Sequence, residues 1–293
     1  VYNCKIYDYG EEKQYRFYSK VYLKDYDKND DEIKDEKKES DNEKDNQDNN
    51  DTELNNDELV DKDRSTISSL NRTVNKIYEY ARSNDWEYFV TLTFNTNIDR
   101  YDYSECSNCM MKFLNATKKS NPDMKYIVVP ELHKDGAYHF HGIFSNIPNV
   151  KMIDSGIYSF GKYTWKKEKI PEKLLKECRL IYNMGRYNYG YSDIQVVEDS
   201  KKTANYICKY ITKELVVATK NKRRYWTSRN LNKPMVTEML LQNEHKEQIK
   251  ELLKDKIIYQ KKVDIDVGTF HNEIEYIDIK KAKKNRLSKN NSL

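Results

Sequence analysis

The segment Glu131-Leu-His-Lys-Asp-Gly-Ala-Tyr-His139-Phe-His141-Gly142 holds the sharpest chemical signal in the sequence. Apolar runs over 125–132 and 137–145 flank Asp135-Gly136, which is a hairpin signal. Side chains alternate along a strand, so His139 and His141 face one way while Tyr138, Phe140 and Phe144 face the other. If Lys134-Asp135-Gly136 forms a three-residue loop with Gly136 left-handed, Glu131 pairs with His139 and joins both imidazoles on one face. A two-residue loop breaks that alignment. Two imidazoles and a carboxylate suit a divalent ion such as Mn²⁺, Mg²⁺ or Zn²⁺, with open positions for water or a phosphate oxygen. His133 falls on the same face near the turn and is a rival ligand.

A second cluster lies in Ala204-Asn-Tyr206-Ile-Cys-Lys209-Tyr210-Ile-Thr-Lys213. On a continuous helix, Tyr206, Tyr210 and Lys213 occupy successive turns of one face with Lys209 beside them. A phenol near a metal ion and a lysine can attack a phosphodiester and stay attached as a phosphotyrosine. The lysine favours the phenolate, whose ordinary pKa is about 10. The chain has 25 tyrosines, so ordinary core or surface aromatics are the other reading of this pair.

These groups need a scaffold. Residues 65–83 place Ile67, Leu70, Val74, Ile77, Tyr78 and Ala81 at helical spacing, and 86–94 is an aromatic and β-branched run typical of a buried strand. A helix over 104–119, the hairpin, a strand over 191–197 and a helix over 200–215 follow. A further helix is expected over 236–258. This order predicts an α+β fold, an antiparallel sheet with helices packed on it. Residues 1–23 are Tyr-rich and read as one or two strands.

Charge divides the chain. Residues 24–64 hold 8 basic and 18 acidic side chains, so a tract of −10 is joined to a body of +14 within a net charge of +4. The tract has few large apolar residues and is expected to be a disordered acidic linker. The basic body suits an anionic partner such as nucleic acid. Lys220-Asn-Lys-Arg-Arg-Tyr-Trp-Thr-Ser-Arg229 interleaves cations and aromatics in the manner of a single-strand binder, and Lys162, Tyr163, Trp165, Lys166, Lys167 and Lys169 could extend that surface. No apolar run is long enough to cross a bilayer, and no hydrophobic signal core is apparent, which predicts a cytoplasmic protein without a membrane partner. Five scattered cysteines read as thiols, with Cys106 and Cys109 at most half a zinc site. Gly156 to Lys162 nearly matches a phosphate-binding loop, but Tyr163 replaces the Ser/Thr that should meet Mg²⁺.

Taken together, the segments resemble the HUH endonuclease superfamily, named for His-hydrophobic-His, and within it the rolling-circle replication initiators of phages and plasmids. Tyr88-Phe-Val-Thr-Leu-Thr-Phe94 is similar to their first motif, Glu131 with His139-Phe-His141 to the metal motif, and Gly190–Val197 leading into Tyr206–Lys213 to the third. Ser228–Pro234 is similar to a segment that follows the nucleophile helix in phage-type members. The resemblance covers about residues 86–234. It implies a ferredoxin-like sheet with the metal on its central strands, held by Glu131, His139 and His141. It further implies Mn²⁺ or Mg²⁺ as cofactor, Tyr206 as nucleophile forming a 5′-phosphotyrosine, and Lys209 assisting. Tyr210 is either a second nucleophile or a packing aromatic.

The implied partners are single-stranded or hairpin origin DNA and a host helicase and polymerase. A relaxase or single-tyrosine transposase, and a non-catalytic origin-binding protein, are the alternative readings. The expected organisation is an N-terminal segment 1–23, the acidic linker 24–64, a nicking domain 65–234, a C-terminal extension of helix and strand 235–279, and a basic tail 280–293.

Overall fold

The computed structural model describes residues 1–23, 56–161, 163–267 and 270–281. In chain order the elements are β1 (Tyr2–Asp8), β2 (Glu12–Tyr22), α1 (Asn56–Arg82), β3 (Tyr88–Phe94), α2 (Tyr103–Ser120), β4 (Lys125–Leu132), β5 (Tyr138–Ser145), β6 (Met152–Phe160), β7 (Tyr163–Lys166), β8 (Arg179–Met184) and β9 (Gly190–Val196). Then come α3 (Ser200–Ile207), α4 (Lys213–Ala218), β10 (Trp226–Thr227), β11 (Met235–Met239), α5 (Asn243–Leu253), β12 (Ile257–Val267) and β13 (Phe270–Lys280). They form two units, one from Asp57–Lys233 and one from Val1–Asn56 with Pro234–Leu293. Among the described residues no helix is long and apolar enough to cross a membrane.

The unit Asp57–Lys233 is built on an eight-stranded sheet in the order β10-β4-β5-β3-β9-β8-β6-β7, and its ladders are antiparallel. Alternation gives its central strands two different faces. On one, Val90, Leu92, Phe140, Phe144, Val128 and Ile194 are buried. There α2 meets the sheet through aromatic contacts, Tyr103 on Tyr138 and Phe113 on Tyr187, which in turn contacts Phe94. Each fully buried Phe or Ile contributes roughly 1.5–3 kcal/mol. The other face carries the histidines, with α3 against β5 and the turn after α3 against β4.

The unit Val1–Asn56 with Pro234–Leu293 is a five-stranded antiparallel sheet, β11-β1-β2-β13-β12. Its core joins Cys4, Phe17, Ile277 and Ile279 to Leu253 and Ile249 of α5. Lys250 of α5 adds an ion pair to the buried carboxylate of Glu275 at 2.7 Å. The segments expected as separate ends, 1–23 and 235–279, are therefore partners in one sheet.

Several expectations need correction. Residues 236–258 are not one helix: Met235–Met239 pairs with β1, and Asn3 holds Leu241 by its backbone N–H and carbonyl before α5 starts. The helix expected over 200–215 ends at Ile207, passes through a 3₁₀ turn at Cys208–Tyr210, and restarts at Lys213 because the Thr212 hydroxyl caps Leu215 N–H. The helix expected from Ser65 begins at Asn56, inside the stretch 24–64; the remainder of that acidic tract, 24–55, and residues 282–293 of the basic tail lie outside the described residues. Strands β6, β7 and β8 lack a clear sequence signal because they are largely half-buried or exposed and show little apolar alternation. Gly156 and Gly161 sit in the β6–β7 hairpin, with φ of 68° and 57°, and not ahead of a helix. Cys106 and Cys109 are buried in α2, where burial pushes the Cys106 thiol up to about 12.

One glycine couples the first and third motifs. Asn95 N–H bonds the Tyr189 carbonyl at 2.9 Å as β9 joins β3, and a Cβ on Gly190 would strike the Thr93 carbonyl oxygen and lie 2.6 Å from the Asn95 nitrogen. Gly190→Ala is therefore expected to destabilise this unit by roughly 1–3 kcal/mol or more. Trp86, Trp165 and Trp226, the chain's three tryptophans, all lie in this unit, so denaturation followed by tryptophan fluorescence reports it directly. An unchanged midpoint would contradict the close strand approach.

Candidate functional site

The hairpin adopts the three-residue-loop alternative. His133 N–H bonds Ala137 O, Gly136 N–H bonds His133 O, and Gly136 has φ 86°. Glu131 pairs with His139 and Val129 with His141, so Glu131, His139 and His141 share a face. Across the next ladder Thr91 pairs with His141 and Thr93 with His139.

This register produces a polar cluster above an apolar layer. Glu131 Oε2 accepts from His141 Nε2 at 2.7 Å and lies 3.1 Å from His133 Nε2. On the far side of each ring, Thr91 Oγ1 lies 3.2 Å from His141 Nδ1 and Thr93 Oγ1 lies 3.3 Å from His139 Nδ1. The His133 and His139 rings stack with centroids 3.9 Å apart. A Thr hydroxyl can donate or accept, so either neutral tautomer of these imidazoles is satisfied at Nδ1.

The tyrosines arrive from α3 and the turn behind it. Asp199 caps the helix by accepting from Lys201 N–H and Lys202 N–H, and Ala204 and Ile207 face inward. Tyr210 then lies flat on His141, with centroids 3.6 Å apart and planes 11° from parallel. Tyr206 stands edge-on to Tyr210 at 5.5 Å and remains 44% exposed. Phe89 supports both phenols, 5.3 Å from Tyr206 and 6.4 Å from Tyr210, and also contacts His141. Lys209 Nζ sits 5.1 Å above the Tyr206 ring. Lys213 starts α4 and so does not extend the face expected of a continuous helix.

Thr91, Thr93 and Phe89 are site residues that the sequence reading missed. Their signal is nevertheless present: they alternate along Tyr88–Phe94, and β3 pairs with β5 in the register that brings each beside a histidine or tyrosine. The basic segment 220–229 departs from expectation. Trp226 is buried, pairs with Val128 and packs on Phe140, while Arg224 bonds Ser69, Thr219 and the Val216 carbonyl. Its tryptophan therefore cannot serve as an open stacking platform.

Burial and charge set the protonation states. Desolvation lowers His139 from its ordinary value to about 4 and also lowers His141, even with Glu131 beside it. The hydrogen bond from His141 holds the Glu131 carboxyl below the usual range. The cluster at neutral pH is thus an ionised carboxylate with neutral imidazoles, the states that ligate metals. Burial, followed by the hydrogen bond with Tyr206, pushes Tyr210 well above an ordinary phenol.

Among the described residues, no group of three His, Cys, Asp or Glu side chains stands in metal-holding geometry. Glu131 bonds His141 directly, across the space where a shared cation would lie. The donor types still fit a divalent ion: a carboxylate faces imidazole Nε2 atoms, and the opposite nitrogens are oriented by Thr91 and Thr93.

With chelator present, the folded protein is expected to keep His139 neutral until pH about 4. Its folded pKa lies below the unfolded value, so the unfolded chain binds more protons in between and stability falls as pH drops from 6.5 towards 4. The lowered Glu131 acts in the same direction at the acidic end. Imidazole NMR titration measures this, and a His139 midpoint near the ordinary 6.5 would contradict the buried environment.

No curated protein and no solved structure matches the chain. Residues 87–215, which contain the hairpin, the tyrosine pair and the strands beneath them, match the family model of the ORF2 type of replication-associated protein. This segment is accordingly a replication-associated (Rep) domain, consistent with the HUH and rolling-circle superfamily.

Proposed function

We propose that the protein is a rolling-circle replication initiator that nicks and rejoins single-stranded origin DNA through a 5′-phosphotyrosine. The observation carrying this reading is the seating of Tyr210 on His141, with Tyr206 beside it, above a carboxylate–imidazole cluster. In this reading β4, β5, β3 and β9 are the central strands of a ferredoxin-like HUH sheet. The family match supports a replication role in general, and the chemistry is inferred from the side chains.

Tyr206 is the better first nucleophile. It is exposed, whereas burial holds Tyr210 protonated. The Tyr206 oxygen attacks phosphorus, the bond from phosphorus to the preceding O3′ breaks, and the phenolic proton is lost while the departing oxygen gains one. A 3′-hydroxyl is released to prime synthesis. Lys209 favours the phenolate and the anionic phosphate. Tyr210, four residues on, would serve as the second nucleophile when the strand is rejoined. A divalent cation, Mn²⁺ or Mg²⁺, held by Glu131, His139 and His141 with His133 as a rival, would offset charge developing on the phosphate. The DNA would be handed to a host helicase and polymerase.

The test incubates a random-sequence single-stranded DNA pool with the protein and Mn²⁺. A denaturant-resistant adduct is expected, mapped by mass spectrometry to Tyr206 and absent from Tyr206→Phe or with EDTA. His141→Ala should lower its yield on the order of 10²-fold or more. Intact DNA under all conditions would leave an origin-binding protein instead.

Thr91→Val removes the hydroxyl partner of His141 Nδ1 while keeping shape. It is expected to weaken Mn²⁺ binding roughly 10–100-fold by calorimetry. Unaltered affinity would remove Thr91 from the site.

A further inference from the structure

Beyond the histidine cluster, at the C-terminal end of β3, a cavity of about 830 Å³ opens between the β3–α2 loop and Tyr191 of β9. Thr93 belongs to both places: its hydroxyl contacts His139, and it lines the cavity. His139, Thr93 and Tyr191 form one cross-strand row. Two interstrand spacings, about 10 Å, therefore separate the backbone of His139 from that of Tyr191.

The cavity wall suits a flat, partly polar ligand. Phe94 and Ile98 supply apolar surface, and Tyr191, 72% exposed, offers an open aromatic face. Acceptors and amides border them. Asp99 Oδ1 accepts from Tyr101 N–H, Glu105 Oε2 accepts from Asp99 N–H, and Asn95 Oδ1 accepts from Asn97 N–H. Each of these carboxylates has a second oxygen, and both line the cavity. Carboxylates repel a phosphate but accept from the exocyclic amines and ring N–H groups of bases. The loop is also tied to the histidine hairpin, since Tyr138 N–H bonds the Arg100 carbonyl at 2.8 Å.

Position on β3 gives this cavity a role. Phe89 meets the tyrosines, Thr91 meets His141, Thr93 meets His139, and the cavity follows. Phenols and cavity therefore flank the cluster on opposite sides. In an in-line displacement the attacking and leaving oxygens are also on opposite sides of phosphorus. We infer that the cavity binds the base of the nucleotide immediately 5′ of the scissile phosphate, the one released with its 3′-hydroxyl, by stacking on Tyr191 and hydrogen bonding to the Asp99–Glu105 edge. This assignment rests on the nicking reading and adds a base-reading subsite on the leaving side.

Two measurements test it. In the first, the random single-stranded pool is cleaved with Mn²⁺, and the released and protein-linked fragments are sequenced separately. The released fragments should show a base preference at their 3′ terminal nucleotide that Tyr191→Ala and Asp99→Asn flatten, with cleavage falling roughly 10-fold or more for Tyr191→Ala and much less for Tyr191→Phe. The preference at the first linked nucleotide should persist. An unchanged 3′ terminal preference in both variants, or a change confined to the linked side, overturns the subsite.

The second measurement needs no cleavage. Single-stranded oligonucleotides containing 2-aminopurine are added to Tyr206→Phe/Tyr210→Phe protein, where stacking on Tyr191 should quench fluorescence. Loss of that quenching in the further Tyr191→Ala variant supports the subsite; equal quenching overturns it. If the wild type forms no adduct, the nicking reading fails, and this binding result decides separately whether the cavity holds a base.

Discussion

The three-residue turn at Lys134–Gly136 is the constraint on which the site depends. A strand slipped by one residue would send its polar row into the apolar layer and its aromatics towards the tyrosines. The left-handed Gly136 and the bond between His133 N–H and Ala137 O fix the register that instead puts Glu131, His139 and His141 on one face. Phe140 and Phe144 then enter the layer covered by α2, so burial on one side holds the polar groups on the other. Thr91 and Thr93 follow from the β3–β5 ladder in the same way.

Around this row, desolvation outweighs charge attraction at the imidazoles. Glu131 would raise the basicity of His141, yet burial lowers it, leaving neutral rings beside an anionic carboxylate. Burial acts on Tyr210 in the opposite sense for an acid, keeping the phenol protonated on the His141 ring. Two tyrosines on neighbouring turns thus acquire different chemistry: one exposed beneath Lys209, the other enclosed.

The sequence discloses the site better than its frame. His139, His141, Glu131 and the hairpin follow from period-two alternation plus a short turn, both local properties. The Tyr206–Tyr210 spacing is equally plain, whereas the interruption at Thr212 depends on a capping hydroxyl that apolar periodicity does not register. The helix expected over 236–258 fails because apolar residues at compatible spacing also serve a strand when a partner edge is available, here β1 more than 200 residues earlier in the chain. Trp226 looks like a DNA-stacking aromatic, but a place in the core opposite Phe140 is the stronger demand on its large apolar surface.

What the sequence determined by itself was the inventory and its faces: a hairpin carrying carboxylate and imidazoles, a short helix carrying two phenols and a lysine, and an acidic tract beside a basic body. Alternation and turn chemistry are read within a few residues, so no distant contact was needed. Only the tertiary structure decided that Tyr210 rather than Tyr206 lies on His141, that Thr91 and Thr93 orient the imidazoles, that a cavity opens past Thr93, and that the two chain ends share a sheet. Those outcomes depend on pairings between segments distant in sequence, whose register is set by packing and burial across the whole sheet, and no local pattern encodes that choice.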